Sequence, residues 1–119
     1  PLQSKIFDGT EPSFLQEETK IRTIDSFDID FNSYKKVLLK IDVQGYELKA
    51  LIGMKDKLKV IADIYIECSF IELYKDQCLY DDIKSYLSMH NFIECNRYNE
   101  HYFNNKLVQA DIHFKKSYL

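Results

Sequence analysis

The sequence has 119 residues, enough for one domain and too few for two at about 100 to 200 residues each. Hydrophobic residues make up 45% and charged residues 29%, which excludes disorder as the main state of the chain. Sixteen Lys and Arg oppose 19 Asp and Glu for a net charge of -3, and no basic stripe forms, so nucleic acid and anionic lipid are not expected partners.

The longest clean apolar runs, such as Val37 to Leu39, fall far short of the ~20 residues a bilayer span needs, and no signal peptide is visible. A cytoplasmic chain without a membrane segment is expected. Cys68, Cys78 and Cys95 are odd in number and form no CxxC pair, so they read as free, partly buried thiols. His90, His101 and His113 show no zinc spacing, and no metal site is expected. Only 3 glycines are present, and none forms a phosphate-cradling loop.

In chain order, residues 1 to 18 hold both prolines and isolated aromatics at Phe7 and Phe14, and read as an arm or loop. Residues 19 to 119 form the α/β portion. Lys20 to Ile24 is short and β-branched and predicts a strand, followed by a short helix or turn through Asp25, Phe27, Asp28, Asp30 and Phe31. Lys36 to Val43 is an apolar run ending in an acid and then Gly45, the pattern of a buried strand stopped by a turn.

Glu47 to Leu58 places Leu48, Leu51, Ile52 and Leu58 at helical spacing, with an acid first and lysines last, as the helix dipole favours. Val60 to Glu67 is a second strand ending in a carboxylate. Strand, helix and strand predict a parallel crossover. A second helix fits Gln77 to His90, with Leu79, Ile83, Tyr86, Leu87 and His90 on one face, so His90 reads as a helix-end residue. Phe92 to Tyr98 reads as a third strand and Asn99 to Lys106 as an Asn-rich loop. Beyond it, Val108, Ala110, Ile112 and Phe114 alternate with polar residues, the mark of a final strand antiparallel to its predecessor.

Ligands of open α/β sheets bind outside the carboxyl ends of the parallel strands, where Asp42 and Glu67 fall. Each could take a proton or receive hydrogen bonds, and each could equally cap a helix or bind turn amides. Glu47 could likewise simply answer the dipole of the helix it begins. Lys40, odd in an apolar run, would pair with Asp25 or Asp63 or snorkel at the sheet rim. Most rings, among them Tyr65, Tyr86, Phe92 and Phe114, fall at core positions and read as packing rather than base stacking.

Lys40-Ile41-Asp42-Val43-Gln44-Gly45-Tyr46-Glu47, preceded by Thr23-Ile24-Asp25-Ser26-Phe27 and followed by Leu48, Leu51 and Gly53, resembles the KIDVEGxE signature of FkbM-type methyltransferases. Ile64-Tyr65-Ile66-Glu67, Tyr74, Leu79 to Leu87, Asn91-Phe92 and Ala110 to Phe114 follow in the family's order, so the likeness spans about Ile21 to Phe114. The resemblance implies an S-adenosylmethionine-dependent methyltransferase acting on an oxygen of a small molecule or sugar. It implies a Rossmann-like class I sheet, here its strands four to seven, with the last antiparallel.

By that mapping Asp42 and Glu67 are the catalytic candidates, and Asp42, Gln44, Gly45, Tyr46 and Glu47 face the cofactor. Asp42 would orient the acceptor hydroxyl, act as its base or bind a metal. Gln44 stands where the family usually has an acid. The glycine-rich loop and first three strands have no counterpart in residues 1 to 20, so the chain reads as the C-terminal half of such a domain. Binding of S-adenosylmethionine by these residues alone is then in question. The competing reading is a non-catalytic interaction module, in which the exposed edge at Val37 to Val43 pairs with a second copy or a partner.

Overall fold

The computed structural model describes residues 5–7, 12–14, 22–28, 30, 36–43 and 45–117. Within the expected arm, β1 (Lys5–Phe7) and β2 (Pro12–Phe14) form a short antiparallel ladder. Lys20, Ile21 and Phe31 lie outside the described residues. Arg22 and Thr23 are not a strand, and Ile24–Ser26 forms a single 3-10 turn.

Among the described residues four strands make the main sheet, in the order β3 (Leu38–Ile41), β4 (Asp63–Ser69), β6 (Lys106–Lys116), β5 (Phe92–Phe103). β3 and β4 are parallel, and β6 runs antiparallel to both β4 and β5. Alternate side chains of β4 and β6, namely Ile64, Ile66, Cys68, Ala110, Ile112 and Phe114, point to one face and are buried with Leu51 of α1 (Glu47–Ile52) and Ile83 and Leu87 of α2 (Tyr80–Met89). The period of two sends Asp63, Tyr65, Glu67, Gln109, Asp111 and His113 to the opposite, polar face.

The expected buried strand at Lys36 to Val43 is shorter and less enclosed. Among the described residues β3 lies at one edge of the sheet; Ile41, on the face of Ile66, is buried, Leu38, on the face of Asp63, is 56% exposed, and Val43, past the strand's end, is 43% exposed. Lys40 pairs with neither expected acid. Asp25 binds the Asp56 and Lys57 amides at 2.9 and 3.2 Å, and Asp63 is taken by Lys36 and His113, which leaves Lys40 exposed at the rim.

Those Asp25 bonds also explain why the predicted helix from Glu47 to Leu58 stops at Ile52. The Gly53 carbonyl accepts the Asp25 amide at 2.9 Å, and the Asp25 carboxylate then holds the next turn, so the chain continues as turns and a 3-10 segment at Lys57–Val60. Ile52, expected on the apolar face, is 50% exposed. β4 starts at Asp63 rather than Val60 and runs on to Ser69, which places Glu67 inside the strand instead of at its end.

α2 begins at Tyr80, where the Asp82 carboxylate accepts the Leu79 amide at 3.2 Å, and Gln77 lies before it. Gln77 accepts from the Leu73 amide at 2.7 Å and donates to Ser69 Oγ at 3.0 Å, tying the loop between β4 and α2 to the sheet. His90 caps the helix C-terminus against Tyr86, as expected. The predicted Asn-rich loop is mostly strand: β5 extends to Phe103, and Asn104 and Asn105 at φ 50 and 64 make the two-residue turn that right-twisted hairpins favour. Phe92 and Phe114 are core residues, but Tyr65 lies on the polar face, stacked on His113, and Tyr86 is half-buried. Among the described residues no helix is long and apolar enough to cross a membrane.

Candidate functional site

Where β3 ends, the sheet opens into a cleft of about 390 Å³ whose wall includes Lys40, Asp42, Tyr65, Glu67, Tyr98, Asn99 and Asp111. Parallel pairing of Ile41 with Ile66 sets Asp42, the next residue of one chain segment, beside the level of Glu67. The antiparallel register then puts Asp111 directly opposite Glu67. Three carboxylates thus converge on one opening. Asn99 adds a donor, its Nδ2 2.7 Å from Asp111 Oδ2.

Glu67 feels this crowding. Burial pushes its carboxyl above the usual range, and the charges of Asp42, Asp111 and Glu47 push it further, with His101 opposing. Gln109 Nε2 donates to Glu67 Oε1 at 3.0 Å and fixes the side chain. Glu67 also borders a second cleft, of about 450 Å³, together with Gly45, Glu47, Tyr74 and Gln77. It therefore separates two openings that both lie beside the turn after β3.

That turn is built on Gly45, at φ 100, a conformation that side-chain-bearing residues rarely adopt. Its amide donates to both carboxylate oxygens of Glu47, at 3.0 and 3.1 Å. Glu47 is buried, and its charge is spent on closing the turn at the start of α1. Tyr46 is exposed, with Lys49 Nζ 5.3 Å from its ring centre. Gln44 lies outside the described residues. Of the expected site residues, Asp42 and Glu67 share one cleft and Gly45, Glu47 and Glu67 the other, whereas Tyr46 faces a third with Tyr74 and Cys78.

Asp111, Tyr98 and Asn99 were not foreseen. Asp111 is one of several polar residues alternating along the last strand, and only the strand register selects it. Among the described residues no three of His, Cys, Asp and Glu come together as a set of metal ligands.

The signature at Lys40 to Glu47 that builds this turn falls within residues 9–96, which match the family described as Methyltransferase FkbM domain. The chain belongs to the FkbM methyltransferase family. Comparison with curated proteins and with solved structures finds no match. The FkbM match takes in Asp42, Gly45, Glu47 and Glu67, while Asp111 and the whole of β6 lie beyond it. The mixed four-stranded sheet is compatible with a methyltransferase-like α/β fold.

Proposed function

We propose that this FkbM domain carries out S-adenosylmethionine-dependent methyl transfer to a hydroxyl of a small molecule or sugar, with the Asp42 and Glu67 cleft as the acceptor side. S-adenosylmethionine supplies, when bound, a methyl group activated by a positive sulfur. The donor set fits such a ligand in charge: Asp42, Glu67 and Asp111 around one opening favour a cation. Asp42, Gly45 and Tyr46, at the turn, are the residues that would face it, with Gln44 between them in sequence.

Asp42, at the end of β3, accepts a hydrogen bond from the acceptor hydroxyl and fixes its orientation, because in-line displacement depends on alignment. Glu67 takes the proton. A carboxylate whose affinity for a proton is raised is a better general base than an ordinary one. The observation that carries the reading is that Asp42 and Glu67, both within the FkbM match, line one cleft where β3 ends. Tyr65 and Tyr98 supply aromatic wall for a ring-bearing acceptor.

The test is a calorimetric titration of the purified protein with S-adenosylhomocysteine, followed by transfer of labelled methyl to a panel of sugars and small hydroxylated compounds. One saturable site per chain, and loss of transfer in Asp42→Ala and Glu67→Gln by about 100-fold or more, supports the proposal. A folded protein that gives no heat, or an Asp42→Ala variant that keeps its activity, overturns it.

A second reading rests on β3. Among the described residues it ends the sheet order, with Leu38 exposed, an edge that another strand could extend. Concentration-dependent mass in sedimentation, abolished by Leu38→Lys, is its expected result.

A further inference from the structure

The polar face of the sheet carries a second group of reactive side chains that takes no part in the acidic cleft. Cys95 Sγ on β5 lies 3.1 Å from His113 Nδ1 on β6, and His113 Nε2 lies 2.7 Å from Asp63 Oδ1 on β4. A thiol, an imidazole and a carboxylate are thus in line across three adjacent strands, the arrangement in which a base activates a nucleophile and a third group orients the base.

The strand register produces this line. Glu94 faces Phe114 and Asn96 faces His113, so Cys95 is the extra residue of a bulge, and a bulge re-aims the side chain it carries. The imidazole is held rigidly, with Tyr65 stacked on it at 4.2 Å between ring centres and 9° between planes. Asp63 is 4% exposed; burial raises its carboxyl, but the hydrogen bonds from His113 and Lys36 outweigh that and hold it below the usual range. An ionised carboxylate only accepts, so in neutral His113 the ring proton sits on Nε2 and the Nδ1 lone pair faces the thiol. Cys95 itself is exposed, whereas Cys68 is buried and Cys78 half-buried.

We propose that Cys95, His113 and Asp63 form a base-assisted thiol that exchanges with low-mass disulfides carrying carboxylates, which makes Cys95 the site of reversible S-thiolation in this chain. Cys95 Sγ attacks one sulfur of the disulfide as its proton passes to His113 Nδ1. The disulfide bond breaks, the departing thiolate recovers that proton, and a mixed disulfide remains on Cys95. The incoming disulfide is the oxidant, and one of its halves leaves reduced. No tetrahedral oxyanion forms, so the site needs no oxyanion donors. Lys115 stands opposite Asp63 in the ladder, on the face that carries His113, and offers a positive charge to anionic reagents, while Asp63 and Glu94 are already paired with Lys36 and Arg97.

The thiol rests protonated: although the residue is exposed, partial loss of hydration around the sulfur pushes it up, Lys115 opposes, and Asp63 and Glu94 add to the rise. Reactivity therefore comes from proton transfer during attack and not from a standing thiolate, and the two have different pH signatures. An unassisted thiol gains about tenfold in rate per pH unit below its own pKa. An imidazole-assisted one rises less steeply, because its proton goes to the imidazole during attack.

The experiment is the reaction of the purified, folded protein with the aromatic disulfide dithiobis(nitrobenzoate), read by released thiol chromophore, with peptide mass spectrometry to locate the adduct and dithiothreitol to reverse it. Cys95 is expected to react first, with a rate that rises less than about threefold per unit between pH 7 and 9. His113→Gln should slow it by at least about tenfold at pH 7 and restore the steep slope. A native slope of about tenfold per unit overturns the proposal whether or not His113→Gln folds, and so does modification of Cys78 ahead of Cys95.

Discussion

Glu67 of β4 and Asp111 of β6 stand directly opposite each other in the antiparallel ladder, on the same face of the sheet. Like charges in such a pair oppose folding, and Asp111 adds, after burial and Asp42, to what raises the Glu67 carboxyl. The base role proposed for Glu67 would accept that cost.

The pH dependence follows from that direction. The folded state holds the Glu67 proton more tightly than the unfolded state does, so stability falls as pH rises from the unfolded value, about 4.3, through the raised folded one. Above that window the ionised group is a constant cost. Glu67→Gln keeps an acceptor for Gln109 and removes the charge. It should stabilise the protein at pH 7 by about 0.2 to 1 kcal/mol and give no gain near pH 3.5, as urea unfolding at the two pH values would show. A variant that is less stable at pH 7 would contradict the argument.

Asp63 carries the opposite sign. Its folded carboxyl is held low despite burial, so its contribution is fully present above the unfolded value, about 3.9, and is lost as pH falls through the folded one. Asp63→Asn leaves Lys36 without its ion pair and weakens the His113 bond. The expected loss at pH 7 is about 1 to 3 kcal/mol, shrinking towards zero below pH 3, measured by the same unfolding series.

What the sequence carries of this site is its local half. Asp42, Gly45 and Glu47 sit within six residues, and their turn follows from one glycine and one carboxylate near it in the chain. Asp111 and the Cys95 to His113 contact depend on register between strands far apart in sequence, which alternation along one strand does not specify. Periodicity overruns the end of α1 for a related reason: the bonds that divert the chain after Gly53 come from Asp25, about 30 residues upstream in an otherwise polar stretch. The Asn-rich composition of residues 99 to 106 reads as a loop, although Asn104-Asn105 is by itself a hairpin signal.

The shortened α1 separates two adjacent residues that helical spacing had grouped together. Leu51 is fully buried under the sheet, and Ile52 is half exposed. Leu51→Ala should cost about 2 to 5 kcal/mol through the cavity it leaves, while Ile52→Ala should stay within about 0.5 kcal/mol of the parent. Equal losses in thermal unfolding would place Ile52 in the core and restore the longer helix.

Gly45 tests the turn that follows Asp42 and borders the second cleft together with Glu67. At φ 100 any side chain is strained, and a Cβ there would also overlap the Tyr74 hydroxyl. These two costs are separable, because Tyr74 is half exposed and can be removed. Gly45→Ala should destabilise by about 1 to 3 kcal/mol. Adding Tyr74→Ala should recover the overlap and leave the backbone strain, so the double variant lies between Gly45→Ala and the parent once the cost of Tyr74→Ala alone is subtracted. Full recovery in that double-mutant cycle would mean that the turn tolerates a side chain and that Tyr74 alone requires the glycine. No recovery would mean that the hydroxyl moves aside freely and that the dihedral angle, with the Glu47 bonds that depend on it, is the whole constraint.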